Sequence, residues 1–216
     1  MSNKMMIRIT TVVVLLAVAV TFAYGAEDSE KITFKGGYTK AVMKEGRQVI
    51  TLSQGAVVVV GNTVFEADTI ELSGDNYRYV SGTGNIRITD TANGLSISAT
   101  ELWYDRQEKT LTVEGWVEIQ DFTHEVIATG AYLSYAETTG ILLLQIEAKL
   151  SRHTDSGPMI CRADSILYDR NSLSLALTGN SSVYWKGNLY ESNSTSVDLE
   201  REEIVLEGTI RGTVDG

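Results

Sequence analysis

The sequence predicts an all-β protein, built from repeated units and folded as an open jelly roll of two facing antiparallel sheets. Apolar and polar residues alternate with a period of two through most of residues 55–216, which is typical of half-buried strands. Small and aliphatic residues recur about every 30 positions. Turn sequences such as GDN at 74–76 and TANG at 91–94 separate the alternating runs.

The repeat is clearest in two stretches of 17 residues, ATELWYDRQEKTLTVEG at 99–115 and ADSILYDRNSLSLALTG at 163–179. Both begin with Ala, carry Tyr-Asp-Arg at the same offset and end on Gly. One column of small residues contains Ala67, Ala99, Gly130, Ala163 and Ser194, and a second contains Gly55, Gly84, Gly115, Ala148, Gly179 and Gly208. Such a period indicates a repeat architecture, in which one unit cannot bury its apolar face alone.

The strands are predicted to bend. In VFEADTIEL, Phe65 and Ala67 share one face, but Ile70 and Leu72 have the opposite parity. If all four residues face one core, the strand must bend or bulge after the small residue. Stacked pairs of bent strands then form two facing sheets around one apolar interior, with the ends unclosed. The terminal strands leave edges that can pair with another chain.

The inward-facing residues of these strands are the candidate lining of the interior. The predicted lining residues are Val57, Val59, Phe65, Ile70, Ile86, Ile88, Ile97, Leu102, Tyr104, Val117, Ile119, Leu133, Tyr135, Leu144, Ile146, Ile166, Tyr168, Leu175 and Leu177. Tyr104, Tyr135 and Tyr168 are predicted to lie in one column. From the residue pattern alone, a dry packed core explains this set better than a ligand groove does.

The first 25 residues are predicted to be a signal peptide. Lys4 and Arg8 precede an apolar run from Ile9 to Ala23, and the small residues of AYGA suit cleavage near Gly25. A retained N-terminal anchor is the alternative, although the run is short for a membrane span. Residues 26–54 are then predicted to form an N-terminal capping unit, and residues 55–216 to form the repeats.

Several functional classes are disfavoured by composition. The net charge is −10 at pH 7, and it becomes 16 − 28 = −12 without residues 1–25, so the surface should repel nucleic acid. His124 and His153 lie in unrelated contexts and are expected in solvated loops, and Cys161 is expected to be a buried apolar filler. The pairs at 105–106 and 169–170 are expected at exposed turns. We therefore predict no catalytic residues, metal or cofactor.

The repeat itself resembles the OstA-like (LptA) family of periplasmic lipopolysaccharide-transport proteins. The resemblance rests on LSQGAVVVVGNTVFEADTIEL and ISATELWYDRQEKTLTVEGWVEI, and it extends from about Ile32 to Val214. This family includes LptA, the periplasmic domain of LptC and the N-terminal domain of LptD. The resemblance implies a bent, open β-jelly roll, the β-taco, whose apolar groove carries lipopolysaccharide across the periplasm. It also implies partners, namely related β-jelly-roll domains at both membranes and further copies, joined edge to edge.

Three hypotheses for function remain open at this point. The first is a periplasmic transport-bridge protein that carries lipopolysaccharide or a similar glycolipid toward the outer membrane. The second is a structural β-repeat scaffold that self-associates without a ligand. The third is a membrane-anchored LptC-like subunit, which would require that residues 1–25 are retained.

Overall fold

The computed structural model describes residues 31–44 and 47–214, so the predicted signal peptide lies outside the described residues. Fourteen strands and one 3-10 helix make up this part of the chain. They are β1 (Ile32–Lys35), β2 (Tyr38–Lys44), β3 (Arg47–Val60), β4 (Thr63–Ser73), the 3-10 helix Asp75–Tyr77, β5 (Tyr79–Asp90), β6 (Leu95–Asp105), β7 (Thr110–Asp121), β8 (Val126–Ala136), β9 (Ile141–Arg152), β10 (Met159–Asp169), β11 (Ser174–Trp185), β12 (Asn188–Asp198), β13 (Glu203–Glu207) and β14 (Arg211–Thr213).

All strands belong to one antiparallel sheet, in which β3 to β13 are neighbours in chain order. At the first edge, β1 pairs with the second half of β3 and β2 pairs with its first half. At the last edge, β13 and β14 divide β12 in the same way. The two edges do not pair with each other, so the sheet is open. The predicted all-β class and open architecture are confirmed.

The long strands bend at mid-length, where the pairing register shifts, as between Ser53 and Ala56 or between Glu114 and Val117. The bends divide the sheet into two walls. Wall A contains residues 38–44, 47–53, 69–73, 79–83, 101–105, 110–114, 132–136, 141–145, 165–169, 174–178, 194–198 and 203–207, and wall B contains residues 32–35, 56–60, 63–67, 86–90, 95–99, 117–121, 126–130, 148–152, 159–163, 181–185, 188–192 and 211–213. The two predicted sheets are therefore halves of one folded sheet.

The walls face each other across one continuous apolar core, to which every strand from β3 to β12 contributes. The ring of Phe65 in wall B lies 5.1 Å from that of Tyr104 in wall A. No helix in the described ranges is long and apolar enough to cross a membrane.

The glycines at the bends are required by the backbone and by close packing. Gly115 has a φ of 93°, which L-residues rarely adopt. A Cβ at this position would overlap the hydroxyl of Thr100 on the neighbouring strand. Gly179, its counterpart in the second copy of the repeat, packs in the same way against Asp164.

Ala148 was predicted in the second column of small residues, and Ile146 in the lining of the interior. Both predictions are wrong, because the bend of β9 falls earlier than the sequence pattern suggested. Ala148 pairs with Ala163 and Gln145 pairs with Ser165, which leaves Ile146 and Glu147 as the bulged residues. Ile146 has a φ of 64° and its side chain is 61% exposed, so it does not line the interior.

The fifth member of the first column of small residues, predicted to be Ser194, is also shifted by two residues. Ser192, not Ser194, occupies the place of Ala163, because Ser181 pairs with Ser192 and Thr178 pairs with Ser194. As a result Thr195 points inward where the other repeats carry an aliphatic residue. Its hydroxyl forms hydrogen bonds of 2.7 and 2.8 Å with Ser181 and Ser192, and this small polar cluster is buried.

Val57 and Val59 were assigned to the wrong face of β3. Ala56, Val58 and Val60 point into the core, whereas Val57 and Val59 are half-buried on the other face. Four consecutive valines carry no alternation, so the sequence does not fix their parity. The bulge at residues 54–55 sets it instead.

Candidate functional site

The interior between the two walls is the candidate functional site. Sixteen of the nineteen predicted lining residues are buried there: Phe65, Ile70, Ile86, Ile88, Ile97, Leu102, Tyr104, Val117, Ile119, Leu133, Tyr135, Leu144, Ile166, Tyr168, Leu175 and Leu177. Alternation along bent strands positions these side chains, and the residues between them point outward. That these residues contact a lipid stays a prediction.

The border of the interior opposite the bends, where the strand ends and turns of the two walls face each other, is called here the mouth. On wall A its innermost row carries three tyrosines. Tyr104 pairs with Leu111, Leu111 with Tyr135, Tyr135 with Leu142 and Leu142 with Tyr168. The predicted tyrosine column is confirmed, and it lies at the border between the apolar interior and the turns.

On wall B the mouth row carries charged residues that the sequence analysis missed. Asp90, Asp121 and Arg152 end β5, β7 and β9, and they alternate across the strands with Leu95 and Val126. A sequence signal was available, because each aspartate continues the inward phase of its strand, as Asp121 does after Val117 and Ile119. The interior is therefore apolar at depth and polar at the mouth.

Arg170 does not lie at an exposed turn as predicted: it is 7% exposed and joins the two walls. Its Nε donates to Asp121 Oδ2 over 2.7 Å, and its Nη2 donates to Asp121 Oδ1 over 3.1 Å. Nη2 also donates to the carbonyl oxygen of Asn93 over 2.7 Å. Arg170 follows wall A, whereas Asp121 ends a strand of wall B and Asn93 lies in a turn between two strands of wall B, so these contacts hold the mouth closed. We call the pair of Asp121 and Arg170 the latch.

Asp121 is 2% exposed. Burial alone would raise the pKa of its carboxyl, but hydrogen bonds from Arg170 and contact with His124 outweigh burial and lower this pKa. The backbone N–H groups of Thr123 and His124 also donate to Oδ1. His124 Nδ1 lies 2.9 Å from Oδ2, so His124 is a half-buried partner of Asp121 and not the solvated loop residue that was predicted.

Two tyrosines surround the latch. The hydroxyl of Tyr168 donates to Asp121 Oδ2 over 3.3 Å, and burial is the main reason why the pKa of Tyr168 is raised. The hydroxyl of Tyr135 is buried without a hydrogen bond of good geometry, and burial raises its pKa as well. Arg152 contributes a further cation on wall B. Its Nη1 donates to the carbonyl oxygen of Leu199 over 2.6 Å, whereas its buried Nε has no hydrogen-bond partner.

Asp105, in the first Tyr-Asp-Arg copy, is also buried rather than exposed. Nε of Arg78 donates to both carboxylate oxygens of Asp105, over 2.8 and 2.9 Å. The hydrogen bond from Arg78 is the main reason why the pKa of Asp105 is lowered. Arg106 donates instead to the carbonyl oxygens of Asn76 and Tyr77.

The predicted turn chemistry of Asp105 and Asp169 is confirmed. Oδ1 of Asp105 accepts the backbone N–H groups of Gln107 and Glu108, and Oδ1 of Asp169 accepts those of Asn171 and Ser172. A side-chain oxygen that binds the backbone two and three residues later stabilises a tight turn.

Empty space among the central strands of the interior is small, whereas a cleft of about 240 Å³ lies between the walls at the last edge, beside Trp185, Tyr190 and Ile204. One void of about 10 Å³ lies below Asp121 and Tyr168, among Ile119, Leu133 and Ile166. A void of this size holds at most one water molecule, and it is too small for an acyl chain. A second void of about 10 Å³ shares Asp90 and Glu137 with a cleft of about 230 Å³ that opens at the mouth.

This mouth cleft lies between the turns of the two walls in the N-terminal half of the interior. Asn62, Thr63 and Asn93 line it from wall B, and Lys109 and Glu137 line it from wall A. It therefore connects solvent to the roof of the apolar interior.

Cys161 and His153 have the environments that the sequence predicts. Cys161 is fully buried, burial raises the pKa of its thiol to about 12, and the predicted role of an apolar filler agrees with both observations. His153 is exposed, as predicted. Within the described ranges, no three His, Cys, Asp or Glu side chains lie close enough together to hold a metal ion.

Comparisons with known proteins find similar solved structures and no similar sequence. No protein-family model matches the chain, and no curated protein matches it. A similar solved structure is that of LptH from Pseudomonas aeruginosa, described as the LptA-homologous periplasmic component of the lipopolysaccharide transport device. The two chains are 14% identical, the match covers 87% of this chain and 96% of LptH, and the TM-score is 0.26.

Proposed function

We propose that this protein binds the acyl chains of lipopolysaccharide, or of a similar glycolipid, between its two walls and transfers the glycolipid through the periplasm. The observation that carries the proposal is the amphipathic interior of an unclosed sheet. Apolar side chains from ten strands meet at depth, and tyrosines, aspartates and arginines line the mouth above them. The sequence resemblance to the OstA-like family favours the same function.

Loading of the central interior requires that the walls move apart, because the voids among the central strands are far smaller than an acyl chain. Each CH₂ group that leaves water contributes about 0.8 kcal/mol, so several long chains can offset the separation of packed side chains. The mouth cleft, which already reaches the roof of the interior near Asp90 and Glu137, is the proposed point of entry.

Site-specific photo-crosslinking tests this function. Leu133 points into the interior and Ser134, its neighbour on β8, points outward, so the two positions form a matched pair. A photoreactive amino acid at position 133 should attach to labelled lipopolysaccharide, whereas the same amino acid at position 134 should not. Circular dichroism of both variants checks that the fold is retained. Equal labelling at both positions, or no labelling at 133 in folded protein, would contradict the proposal.

A ligand-free scaffold is the second candidate, and the packed interior favours it. If the voids of about 10 Å³ reflect a permanent core, the walls never separate and position 133 stays unlabelled. The same pair of variants therefore decides between the two candidates.

The proposed partners are related β-jelly-roll domains or further copies of this chain, joined through the two edges of the sheet. In wall A the two edges carry opposite charge, because β2 holds Lys40 and Lys44 and no acidic residue, whereas β13 carries Glu203 and Glu207. Exposed apolar side chains lie on both edges, among them Tyr38, Met43 and Val205. Pairing of β2 with β13 from another copy would continue wall A and join unlike charges.

Analytical ultracentrifugation of charge-reversed variants tests the edge pairing. Lys40→Glu with Lys44→Glu should weaken self-association, and so should Glu203→Lys with Glu207→Lys. A mixture of the two double variants should recover association between the reversed edges, because each then meets the opposite charge. A mixture that associates no better than either variant alone would argue against pairing of these two edges.

A further inference from the structure

The latch occupies the position where a lipid head group would lie if acyl chains filled the interior. Asp121, the partner of Arg170, borders the apolar void that Ile119, Leu133 and Ile166 line. The Arg170 guanidinium binds the carboxylate of Asp121 through two nitrogen atoms, Nε and Nη2. Carboxylates and phosphates present the same paired oxygens to an arginine.

We propose that Arg170 is the binding site for an anionic group, a phosphate monoester or a carboxylate, on the head of the amphiphile. In this proposal the anion replaces Asp121 on Arg170 and so releases the two walls at the mouth. The structure then shows the unloaded state, in which Asp121 stands in for the ligand. The inference rests on the proposed function, because the tail of the same molecule enters the space below.

The groups around the latch suit an exchange of anions. Asp121 keeps the backbone N–H groups of Thr123 and His124 and the ring of His124 when Arg170 leaves, so its charge is not stranded. Near the latch in the closed state, the Nε of Arg152 has no hydrogen-bond partner and the hydroxyl of Tyr135 has none of good geometry. Buried polar atoms usually have partners, and both groups can donate to an incoming anion.

Charge supports the same assignment. The chain has a net charge of −10, which disfavours an anionic head group over most of the surface. Arg170 and Arg152 supply positive charge at the mouth, where the head group of a bound amphiphile would emerge. The apolar depth of the interior holds the tail, and the arginines select the head.

Calorimetric titration with soluble amphiphiles, below their micelle concentrations, tests the inference. The probes are decyl phosphate, decyl maltoside with the same tail and a neutral head, and inorganic phosphate without a tail. The wild-type protein should bind decyl phosphate at least tenfold more tightly than either of the other probes. Binding of inorganic phosphate as tight as that of decyl phosphate would assign the site to free anions and overturn the head-group assignment.

Two variants distinguish the contribution of the latch to binding from that of the apolar interior. Asp121→Asn keeps Arg170 but removes the competing charge, so the affinity for decyl phosphate should rise several-fold. Arg170→Gln should bind decyl phosphate and decyl maltoside equally. Glu202→Gln is the matched control, because it breaks the exposed ion pair of Lys186 and Glu202, which also joins the walls, and should leave both affinities unchanged.

The outcomes distinguish this inference from the proposed function. If both amphiphiles bind but Asp121→Asn has wild-type affinity, or Arg170→Gln keeps the preference for phosphate, the latch inference is wrong and the lipid interior stands. If neither amphiphile binds to the wild-type protein, the latch inference and the proposed function are both wrong.

Spin labels at Phe122→Cys and Ser172→Cys, in the turns beside the latch, should move apart when decyl phosphate binds. Cys161 is fully buried and stays unlabelled.

Discussion

The two Tyr-Asp-Arg copies, residues 104–106 and 168–170, have the same local structure and different partners. In both, the tyrosine points into the mouth row and the aspartate stabilises the following turn. In the first copy the aspartate forms the ion pair, with Arg78 of the same wall. In the second copy the arginine forms it, with Asp121 of the opposite wall.

The two copies form different ion pairs because different residues lie next to them. The backbone N–H of Arg106 donates to the carbonyl oxygen of Arg78, and that of Arg170 donates to the carbonyl oxygen of Gly140. Gly140 thus occupies the position of Arg78 and offers no cation to Asp169. The repeated sequence determines the turn, whereas the neighbouring strand and the opposite wall determine the ion pair.

Removal of the two arginines should give the largest contrast between the copies. Arg170→Ala leaves the carboxylate of Asp121 buried without its main counter-charge, and such losses cost about 3–5 kcal/mol. We expect about 3 kcal/mol, because Asp121 keeps His124 and two backbone N–H groups. Arg106→Ala removes hydrogen bonds to two turn carbonyls and should cost about 1 kcal/mol.

Urea unfolding at pH 7 measures both values. Equal losses in the two variants would show that Arg170 does not stabilise the closed mouth more than Arg106 stabilises its turn.

The two ion-paired aspartates should give the next contrast, and it depends on pH. Both carboxyl groups have a pKa lowered from the ordinary value of 3.8, so each stabilises the fold fully above about pH 5. That contribution is lost as the pH falls below 4 toward the pKa of the folded state. The wild-type protein should therefore lose more stability between pH 5 and pH 2 than Asp121→Asn or Asp105→Asn does.

At pH 7 the losses of stability in the two asparagine variants should follow the burial of the arginine partner, which is 7% exposed at Arg170 and 31% exposed at Arg78. Asp121→Asn should lower the free energy of unfolding by about 2 kcal/mol, because a charged acceptor of several buried hydrogen bonds is replaced. Asp105→Asn should cost less, because Arg78 is partly exposed to water. Chemical unfolding at a series of pH values measures both effects. A wild-type curve parallel to that of Asp121→Asn would contradict the lowered pKa of Asp121.

The distinction between local sequence pattern and contacts with distant segments explains how much of this molecule the sequence predicts. Strict alternation, as in the strand with Val117 and Ile119, determines which residues face inward, and those predictions are confirmed. Prediction failed where alternation is absent, at Val57 and Val59, and where the bulge falls on an ordinary β-branched residue, at Ile146.

The site was harder to predict than the fold because it depends on contacts between distant segments. Arg170 and Asp121 are 49 positions apart and lie on different walls, so no local pattern reports their pairing. Whether the protein's own side chains fill the interior depends on the distance between the walls. Alternation specifies which residues face inward but not how far apart the two faces lie.

The tyrosine hydroxyls should give the smallest effects and the most local test. Tyr168→Phe removes a hydrogen bond of 3.3 Å to Asp121 and should cost about 1 kcal/mol. Tyr135→Phe removes a buried hydroxyl that lacks a well-formed hydrogen bond, so it should be neutral or slightly stabilising. Thermal and urea unfolding measure the loss of stability in both variants. The two variants carry the same change on different strands. A loss in Tyr135→Phe equal to that in Tyr168→Phe would mean that the hydroxyl of Tyr135 also belongs to the latch.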